Sequence, residues 1–238
     1  MNRFFRFFFL RLPKGRVVLF FDFFVRAALP PYGLKRPDSI RFVLMAPKFH
    51  IDAEEWLHIG VSIVTISLAF SLFREVVFSP DYFWLIFLTV GLGFVLHELA
   101  HKWVAISFGA TSYYRASTLG LFGALALAFI TGGALVFAAP GAVYFHGAHL
   151  TREQVGKIGL AGPLTNLLLA IGFFFLALWA PGLRELALTG VSVNAFLGAF
   201  NLVPIGMLDG AKVYAWNKTV WLASFVSLLV VMFLVASG

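Results

Sequence analysis

Long apolar runs dominate the chain, and short polar or basic segments separate them. Six runs approach or exceed the roughly 20 residues that an α-helix needs to cross a bilayer. They cover residues 59–78, 82–108, 119–139, 158–180, 186–208 and 220–235. The pattern predicts an all-α polytopic membrane protein with five to six transmembrane helices. Asp52, Glu54 and Glu55 stand just before the first run, and acidic residues are typical of the first turn of a helix.

The composition supports a membrane protein and excludes two other classes. Of the 238 residues, 61% are hydrophobic and only 12% are charged. A soluble globular domain has about a quarter of its residues charged, and a disordered chain has few hydrophobic residues. The chain has no cysteine, so a thiolate metal site and a thiol nucleophile are excluded. Any bound metal must use His and carboxylate ligands.

Positive charge is concentrated at the N-terminus. Ten of the 18 Lys and Arg residues lie in 1–58, interleaved with Phe and Leu. A basic, Phe-rich segment of this kind is typical of proteins that bind a lipid surface. It lacks the cluster of Lys and Arg on one soluble face that nucleic-acid-binding proteins have. We therefore expect a lipid bilayer and no nucleic acid as partner. The segment 1–58 is interpreted as cytoplasmic or interfacial, with a disordered tail as the alternative.

The second run carries a metal-binding motif. His97-Glu98-Leu99-Ala100-His101 reads HExxH and follows fifteen uncharged residues, 82–96. Two His residues at i and i+4 lie on one helix face, so both imidazoles can bind one metal ion, and the Glu between them can reach a bound water. Ionisable groups at membrane depth are costly and usually functional. The alternative is a polar helix end at the headgroup level, with Lys102 following directly.

A catalytic zinc needs a third protein ligand. His146 and His149 are candidates, but they flank a Gly-rich loop. Asp209 is favoured, because it ends an apolar run that Pro204 must interrupt. Broken backbone at membrane depth persists only inside protein or beside a wet cavity. The alternative for Asp209 is an ordinary helix end with a Pro-Gly stop.

The topology depends on residues 119–139, which contain four glycines and precede Pro140 and Gly141. If they span, His97 and Asp209 end on opposite sides of a core about 30 Å thick. If they form a re-entrant or extended element, both end on the same side. The re-entrant arrangement places 16 Lys and Arg residues on one side of the membrane and only Arg74 and Arg184 on the other. With six spans the two sides would carry 13 and 5 Lys and Arg residues. The positive-inside rule favours re-entry and a cytoplasmic N-terminus.

With these motifs the chain resembles the site-2 protease family of intramembrane zinc metalloproteases, especially its short archaeal members. The resemblance rests on three matching stretches in 82–218: His97-Glu98-Leu99-Ala100-His101, Gly162-Pro163-Leu164-Thr165-Asn166, and Asn201-Leu202-Val203-Pro204 through Leu208-Asp209-Gly210. It implies that one Zn²⁺ per chain is bound by His97, His101 and Asp209. It also implies that Glu98 is the catalytic acid/base and that Asn201 assists at the substrate carbonyl. Asn166 matches a less uniform position.

The resemblance implies that 59–238 is an integral membrane metalloprotease domain in the cell membrane, with a transmembrane protein as substrate. The segment 134–145 could offer an extended edge for pairing with an unwound substrate, or could merely pack against the core. A membrane metal-ion transporter or a metal-binding membrane protein is the alternative function. Transport needs ionisable groups along a path through the bilayer, and nothing charged continues beyond the set His97, Glu98, His101 and Asp209. A scaffolding role leaves the HExxH unexplained.

Overall fold

The structure of the protein, a computed structural model, describes residues 49–71, 80–131, 140–146 and 150–236. Over these ranges the chain is almost entirely helical, with one small two-stranded sheet. The elements in chain order are α1 (Ala53–Ser71), α2 (Pro80–Ser107), β1 (Thr111–Ala116), α3 (Thr118–Ile130), β2 (Gly141–His146), α4 (Arg152–Trp179), a 3₁₀ turn (Pro181–Leu183), α5 (Arg184–Asn201), α6 (Asp209–Trp216) and α7 (Lys218–Ala236). The predicted all-α, membrane-type fold is confirmed.

Four helices of the described residues are long and apolar enough to cross a membrane: α1, α2, α4 and α7. Helices α2 and α4 have 28 residues each, and 28 residues at 1.5 Å per residue span about 42 Å. These four helices overlap the first, second, fourth and last apolar runs. Length and composition therefore support four of the five to six spans that the sequence predicts.

Helix α5 covers most of the predicted run over 186–208. It has 18 residues and ends at Asn201. Small and polar residues make up much of its surface, and its buried positions include Gly190, Asn194 and Gly198. A Cβ at Gly190 would lie 2.5 Å from the Phe173 ring of α4. Small residues of this kind let helix backbones approach closely, so α5 is an interior helix packed against α2, α4 and α7.

Side chains fix the start of α1, as the sequence predicts. The backbone N–H of Glu55 donates to Asp52 Oδ1 at 2.7 Å, and Asp52 N–H donates to Glu55 Oε2 at 3.3 Å. This reciprocal pair is a capping box, which satisfies two backbone donors of the first turn. The N–H of Glu55 lowers the pKa of the Asp52 carboxyl below its ordinary value. Residues 1–48 of the predicted N-terminal segment lie outside the described residues, and 53–58 belong to α1.

The segment between α2 and α4 leaves and returns at one place. Strands β1 and β2 are antiparallel, and Ala116 pairs with Gly141 at the end of the ladder. The helix between them, α3, has only 13 residues, well short of a span. A segment whose two ends pair as neighbouring strands begins and ends on the same side of the molecule. The geometry therefore supports the re-entrant element, of which residues 132–139 lie outside the described part of the chain.

A buried ion pair joins α1, α2 and β1. Lys102 Nζ donates to both carboxylate oxygens of Glu55 at 2.7 Å, and the two residues are 2% and 3% exposed. Glu55 Oε1 also accepts the backbone N–H of Tyr114 at 2.8 Å. Beside this pair, the Tyr114 and Ser62 hydroxyls are 2.9 Å apart and buried. These contacts fix the sheet against the helix that carries the HExxH motif.

Candidate metal centre

The HExxH residues lie on one buried stretch of α2. His97, Glu98 and His101 are 4%, 8% and 6% exposed. The i, i+4 spacing turns both imidazoles to one side of the helix, so that their Nε2 atoms are 2.9 Å apart. The motif is therefore buried inside the protein.

Asp209 reaches the same point from a different part of the chain. Helix α5 ends at Asn201, a turn containing Pro204 and Gly206 follows, and α6 begins at Asp209. Gly206 has a φ of 59°, a conformation that favours glycine. Asp209 Oδ2 lies 3.2 Å from His97 Nε2 and 2.9 Å from His101 Nε2. The predicted helix break is confirmed, and it brings a carboxylate to the two imidazoles.

The three atoms have the spacing of a metal site. With zinc–nitrogen and zinc–oxygen bonds of about 2.0–2.1 Å, two ligands of a tetrahedral ion lie about 3.3 Å apart. The observed separations are 2.9 Å, 3.2 Å and 2.9 Å. Small outward movements of the three side chains would therefore accommodate zinc. In the part of the chain that the structure describes, His97, His101 and Asp209 are the group that could hold a metal ion.

The chemistry of the three donors also suits a cation. His101 Nδ1 lies 2.6 Å from the carbonyl oxygen of Ile158. A carbonyl only accepts, so Nδ1 carries the proton, and the Nε2 atom of a neutral imidazole presents a lone pair. His97 Nδ1 is likewise 2.6 Å from Asn166 Oδ1. Two imidazole lone pairs and a carboxylate oxygen then converge on one buried point, and a positive ion there would offset their mutual repulsion.

Lys212 holds the other oxygen of Asp209. Its Nζ donates to Asp209 Oδ1 at 2.8 Å, three residues further along α6. The carboxylate is therefore divided between the ammonium and the two imidazoles. This division leaves Oδ2 as the ligand atom and orients the carboxylate as a monodentate ligand.

Helix α4 touches the imidazoles through a glycine. A Cβ at Gly162 would overlap the Nε2 atoms of His97 and His101 and would lie 2.6 Å from His97 Cδ2. The residue that follows, Pro163, is buried in the same helix. The backbone of α4 therefore forms one wall of the candidate site, and this wall has room for no side chain.

Glu98 lies between the metal group and β2. Its carboxylate interacts with His97 and Asp209 and faces the backbone N–H of Val143. That N–H is not used in the ladder with β1. Val143 pairs with Tyr114, whose N–H is donated to Glu55 outside the sheet. In an antiparallel pair of this type the N–H groups of both residues point away from the partner strand, so the N–H of Val143 also points outwards. Glu98 therefore stands at the outer edge of the sheet.

The sequence of the protein has relatives with a shared name. A protein of Methanocaldococcus jannaschii named "Putative zinc metalloprotease MJ0611" is 41% identical over 180 residues, which cover 73% of this chain and 90% of the relative. The chain belongs to the site-2 protease family. Two further relatives are also named putative zinc metalloproteases. YwhC of Bacillus subtilis is 30% identical, over 53% of this chain and 65% of the relative. Rip3 of Mycobacterium tuberculosis is 32% identical, over 51% of this chain and 28% of the relative. No protein-family model and no solved structure matches the chain.

Other predicted residues of this site-2 protease family member lie outside the cluster. Asn201, the last residue of α5, is half-buried, and its Nδ2 donates to Leu197 O at 2.9 Å. Its role at a substrate carbonyl stays a prediction, in which the second N–H of Nδ2 would be the donor. His146 is exposed at the end of β2, where its ring stacks on Tyr113 at 5.8 Å. His149 lies outside the described residues.

Three residues beside the site were missed or underweighted by sequence reasoning. Asn166, given little weight, is fully buried against His97, and Asn194 lies behind it. An amide in the middle of an apolar helix was the available signal for Asn194, because buried polar groups in membrane segments are rare and need partners. The signal for Lys212 was its spacing of three residues from Asp209 on a short helix.

Proposed function

We propose that the protein is an intramembrane zinc metalloprotease of the site-2 type. It hydrolyses peptide bonds of membrane-spanning proteins near the cytoplasmic leaflet, in regulated intramembrane proteolysis. The observation that carries the proposal is the meeting of His97, His101 and Asp209 within 3.2 Å, beside the buried Glu98. The helix that bears the motif is itself a candidate membrane span.

His97 Nε2, His101 Nε2 and Asp209 Oδ2 would hold the zinc ion. When bound, zinc would supply Lewis-acid chemistry, in that it polarises a carbonyl group and lowers the pKa of water. Three protein ligands are the number that catalytic zinc sites use. The hydrogen bonds from the Nδ1 atoms and from Lys212 to Asp209 keep these ligands oriented towards the ion.

Glu98 moves the proton. Its carboxylate accepts a proton from the attacking water and returns it to the amine nitrogen of the leaving peptide. Burial excludes bulk water from the carboxylate, so proton exchange is directed to the substrate. Asn201 would assist by donating Nδ2–H to the substrate carbonyl oxygen as negative charge develops there.

Strand β2 is the proposed docking edge for the substrate. A transmembrane helix has its backbone groups satisfied internally, so it must unwind locally before its carbonyl is accessible. One edge of β2 pairs with β1, and no strand of the described residues pairs with the other. The N–H of Val143 points out at this free edge towards Glu98. An unwound substrate segment added there lies beside the proton carrier.

The membrane placement follows from charge. The N-terminal segment and the loops on its side carry 16 of the 18 Lys and Arg residues in the re-entrant topology. This asymmetry supports an orientation with the N-terminus in the cytoplasm of a cell membrane. The metal helix ends on that side, so the site lies nearer the cytoplasmic leaflet.

The central test replaces Glu98 by Gln, which has nearly the same shape and cannot accept the proton. The wild type, the Glu98→Gln variant and the exposed control Glu54→Gln are purified in detergent. Bound zinc is measured, together with cleavage of a panel of single-span reporter proteins. We expect about one zinc per chain in all three proteins and cleavage by the wild type and the control only. Full activity of the Glu98→Gln variant would refute the proposed role of Glu98.

A second test addresses the edge of β2. Proline at position 143 removes an N–H that β1 does not use, so the sheet should persist. Val143→Pro is expected to keep zinc and lose cleavage, whereas Val143→Ala, which retains the N–H, should keep both. Equal cleavage by the two variants would show that the edge does not bind substrate. Zinc flux through proteoliposomes without any cleavage would instead favour the transporter alternative.

A further inference from the structure

Two buried asparagines connect the metal site to the interior helix α5. Asn166 on α4 and Asn194 on α5 are both 0% exposed. Asn166 Nδ2 donates to Gly93 O on α2 at 3.2 Å and to Asn194 Oδ1 at 3.0 Å. Asn194 Nδ2 donates to Gly190 O at 2.9 Å. Asn166 Oδ1 lies 2.6 Å from His97 Nδ1. The chain of contacts therefore runs from a backbone carbonyl of α5 to a proposed metal ligand.

The direction of every bond in this chain is determined by its ends. The carbonyl oxygens of Gly190 and Gly93 can only accept, so each must face an amide nitrogen. This places Nδ2 of Asn194 at Gly190 and Nδ2 of Asn166 at Gly93. The Oδ1 atom of Asn166 must then face His97. A rotated Asn166 amide would set its oxygen against two other acceptors, Gly93 O and Asn194 Oδ1, and would leave the two side-chain oxygens facing each other without a hydrogen between them.

The chain of bonds consequently selects one tautomer of His97. Only a donor can face Asn166 Oδ1, so the proton of the neutral imidazole lies on Nδ1. Nε2 then carries the lone pair that a metal ion needs. His101 reaches the same tautomer through a backbone carbonyl, that of Ile158. At His97 the acceptor for Nδ1–H is the side-chain amide oxygen of Asn166, whereas at His101 it is a backbone carbonyl oxygen.

Glycines make room for the two amides. A Cβ at Gly93 would overlap Asn194 Oδ1 and would lie 3.1 Å from its Cγ. A Cβ at Gly198 would lie 3.2 Å from the Cβ of Asn166. The helices are therefore packed closely around both amides. The backbone of α2 at Gly93 and that of α5 at Gly198 therefore enclose the two hydrogen-bonded asparagines.

We infer that Asn166 and Asn194 are positioning residues that hold His97 in the Nδ1–H tautomer and so prepare its Nε2 for the metal ion before binding. Asn166 makes the contact, and Asn194 prevents the amide of Asn166 from rotating. Neither residue touches the ion or the substrate. The inference rests on the metal site proposed above, because its benefit is realised only when His97 is a ligand.

The first experiment measures the tautomer directly in the wild-type protein. The protein is labelled with ¹⁵N-histidine, stripped of metal with a chelator, and examined by NMR in detergent, with His97→Gln to assign the signal. We expect Nδ1 of His97 to carry a proton, which it donates to Asn166. An unprotonated Nδ1 in the folded, metal-free protein would overturn the inference, whatever any variant does.

The second experiment measures zinc affinity by competition with a chelator. Loss of an outer partner of a ligating His typically weakens metal binding 10- to 100-fold, and we expect this loss for Asn166→Leu. Asn166→Asp keeps an acceptor for Nδ1–H, and its second oxygen, when protonated, can donate to Asn194 Oδ1 in place of Nδ2. It should therefore bind zinc at least about tenfold more tightly than Asn166→Leu. Thr165→Val is the control, because Thr165 is adjacent and half-buried, and within the described residues its hydroxyl donates to Ala161 O of its own helix.

The outcomes separate this inference from the metal site itself. Asn166→Leu that binds zinc as tightly as Thr165→Val would overturn the positioning role while leaving the site intact. An Asn166→Asp variant no better than Asn166→Leu would also overturn it. A wild type that binds no zinc would instead refute the proposed metal site, and the ¹⁵N measurement would still report the tautomer of His97. If Asn166→Leu does not fold, two measurements still test the inference. They are the NMR measurement on His97 in the wild type and the zinc affinity of Asn166→Asp relative to that of the wild type.

Discussion

Gly162 is where helix α4 touches both imidazoles of the proposed zinc site, so its replacement by Ala is a sharp perturbation. The added methyl group would overlap both Nε2 atoms and would lie 2.6 Å from His97 Cδ2. Heavy atoms are in favourable contact at about 3.5–4.0 Å. The methyl group therefore intrudes by about 1 Å at the side of the imidazoles from which the metal is bound.

The expected loss can be worked from this overlap. Zinc–ligand distances are held within about 0.2 Å, so a displacement of about 1 Å is too large for the site to absorb. Inserting a methyl group into a packed interior costs roughly 1–3 kcal/mol. If the imidazoles move to relieve that strain, zinc affinity falls roughly 5- to 150-fold, since each 1.4 kcal/mol is tenfold.

The assay is chelator competition for zinc, with thermal unfolding of the metal-free protein measured in parallel. The control is Gly172→Ala on the same helix, where an added Cβ has nothing within 4 Å. Because Ala favours a helix over Gly by about 1 kcal/mol, the control should be neutral or slightly more stable. Zinc binding by Gly162→Ala as tight as that of Gly172→Ala would refute the close packing of α4 on the two imidazoles.

Three further predictions concern stability in detergent. Lys102→Met leaves the buried carboxylate of Glu55 without its cation, and breaking such a pair should cost about 3–5 kcal/mol. Glu54→Gln removes an exposed partner of Arg115 at 2.9 Å and should cost at most about 1 kcal/mol; equal losses in thermal unfolding for these two variants would contradict the burial of the first pair. Tyr114→Phe removes the hydroxyl contact with Ser62 and should cost about 1–2 kcal/mol, whereas an unchanged unfolding temperature would argue against that bond. Chelation of zinc should lower the unfolding temperature of the wild type but not of His97→Ala, because a ligand stabilises only a protein that binds it.

The metal ligands are predictable from the sequence because two separate patterns lead to them. Helix periodicity alone sets His97 and His101 on one face. Pro204 within an apolar run predicts a break, and Asp209 is the one carboxylate at that break. The requirement that both parts of the site lie on one side of the membrane then predicts the return of residues 119–139. The pairing of Ala116 with Gly141 agrees with that requirement.

The partners of these residues are less predictable, because they depend on which helix faces are in contact. Glu55 fits the acidic bias of a first helical turn, and nothing local indicates that it lies against Lys102, 47 residues away. Asn194 reads as one polar residue in a moderately apolar helix until α5 is found between α2 and α4. Strand β1 follows the metal helix after a short turn, and six residues carry too little pattern to indicate a strand.

The buried pair of Glu55 and Lys102 has a consequence for the order of synthesis. Glu55 precedes Lys102 in the chain, so the ribosome delivers the carboxylate before the ammonium group. Helix α2 therefore emerges with the partner of its cation already made, and Lys102 need not wait unpaired for a later segment. Glu55 in turn waits without a cation until α2 emerges, and an unpaired charge on a membrane helix is costly. The two helices are therefore expected to enter the membrane as a pair.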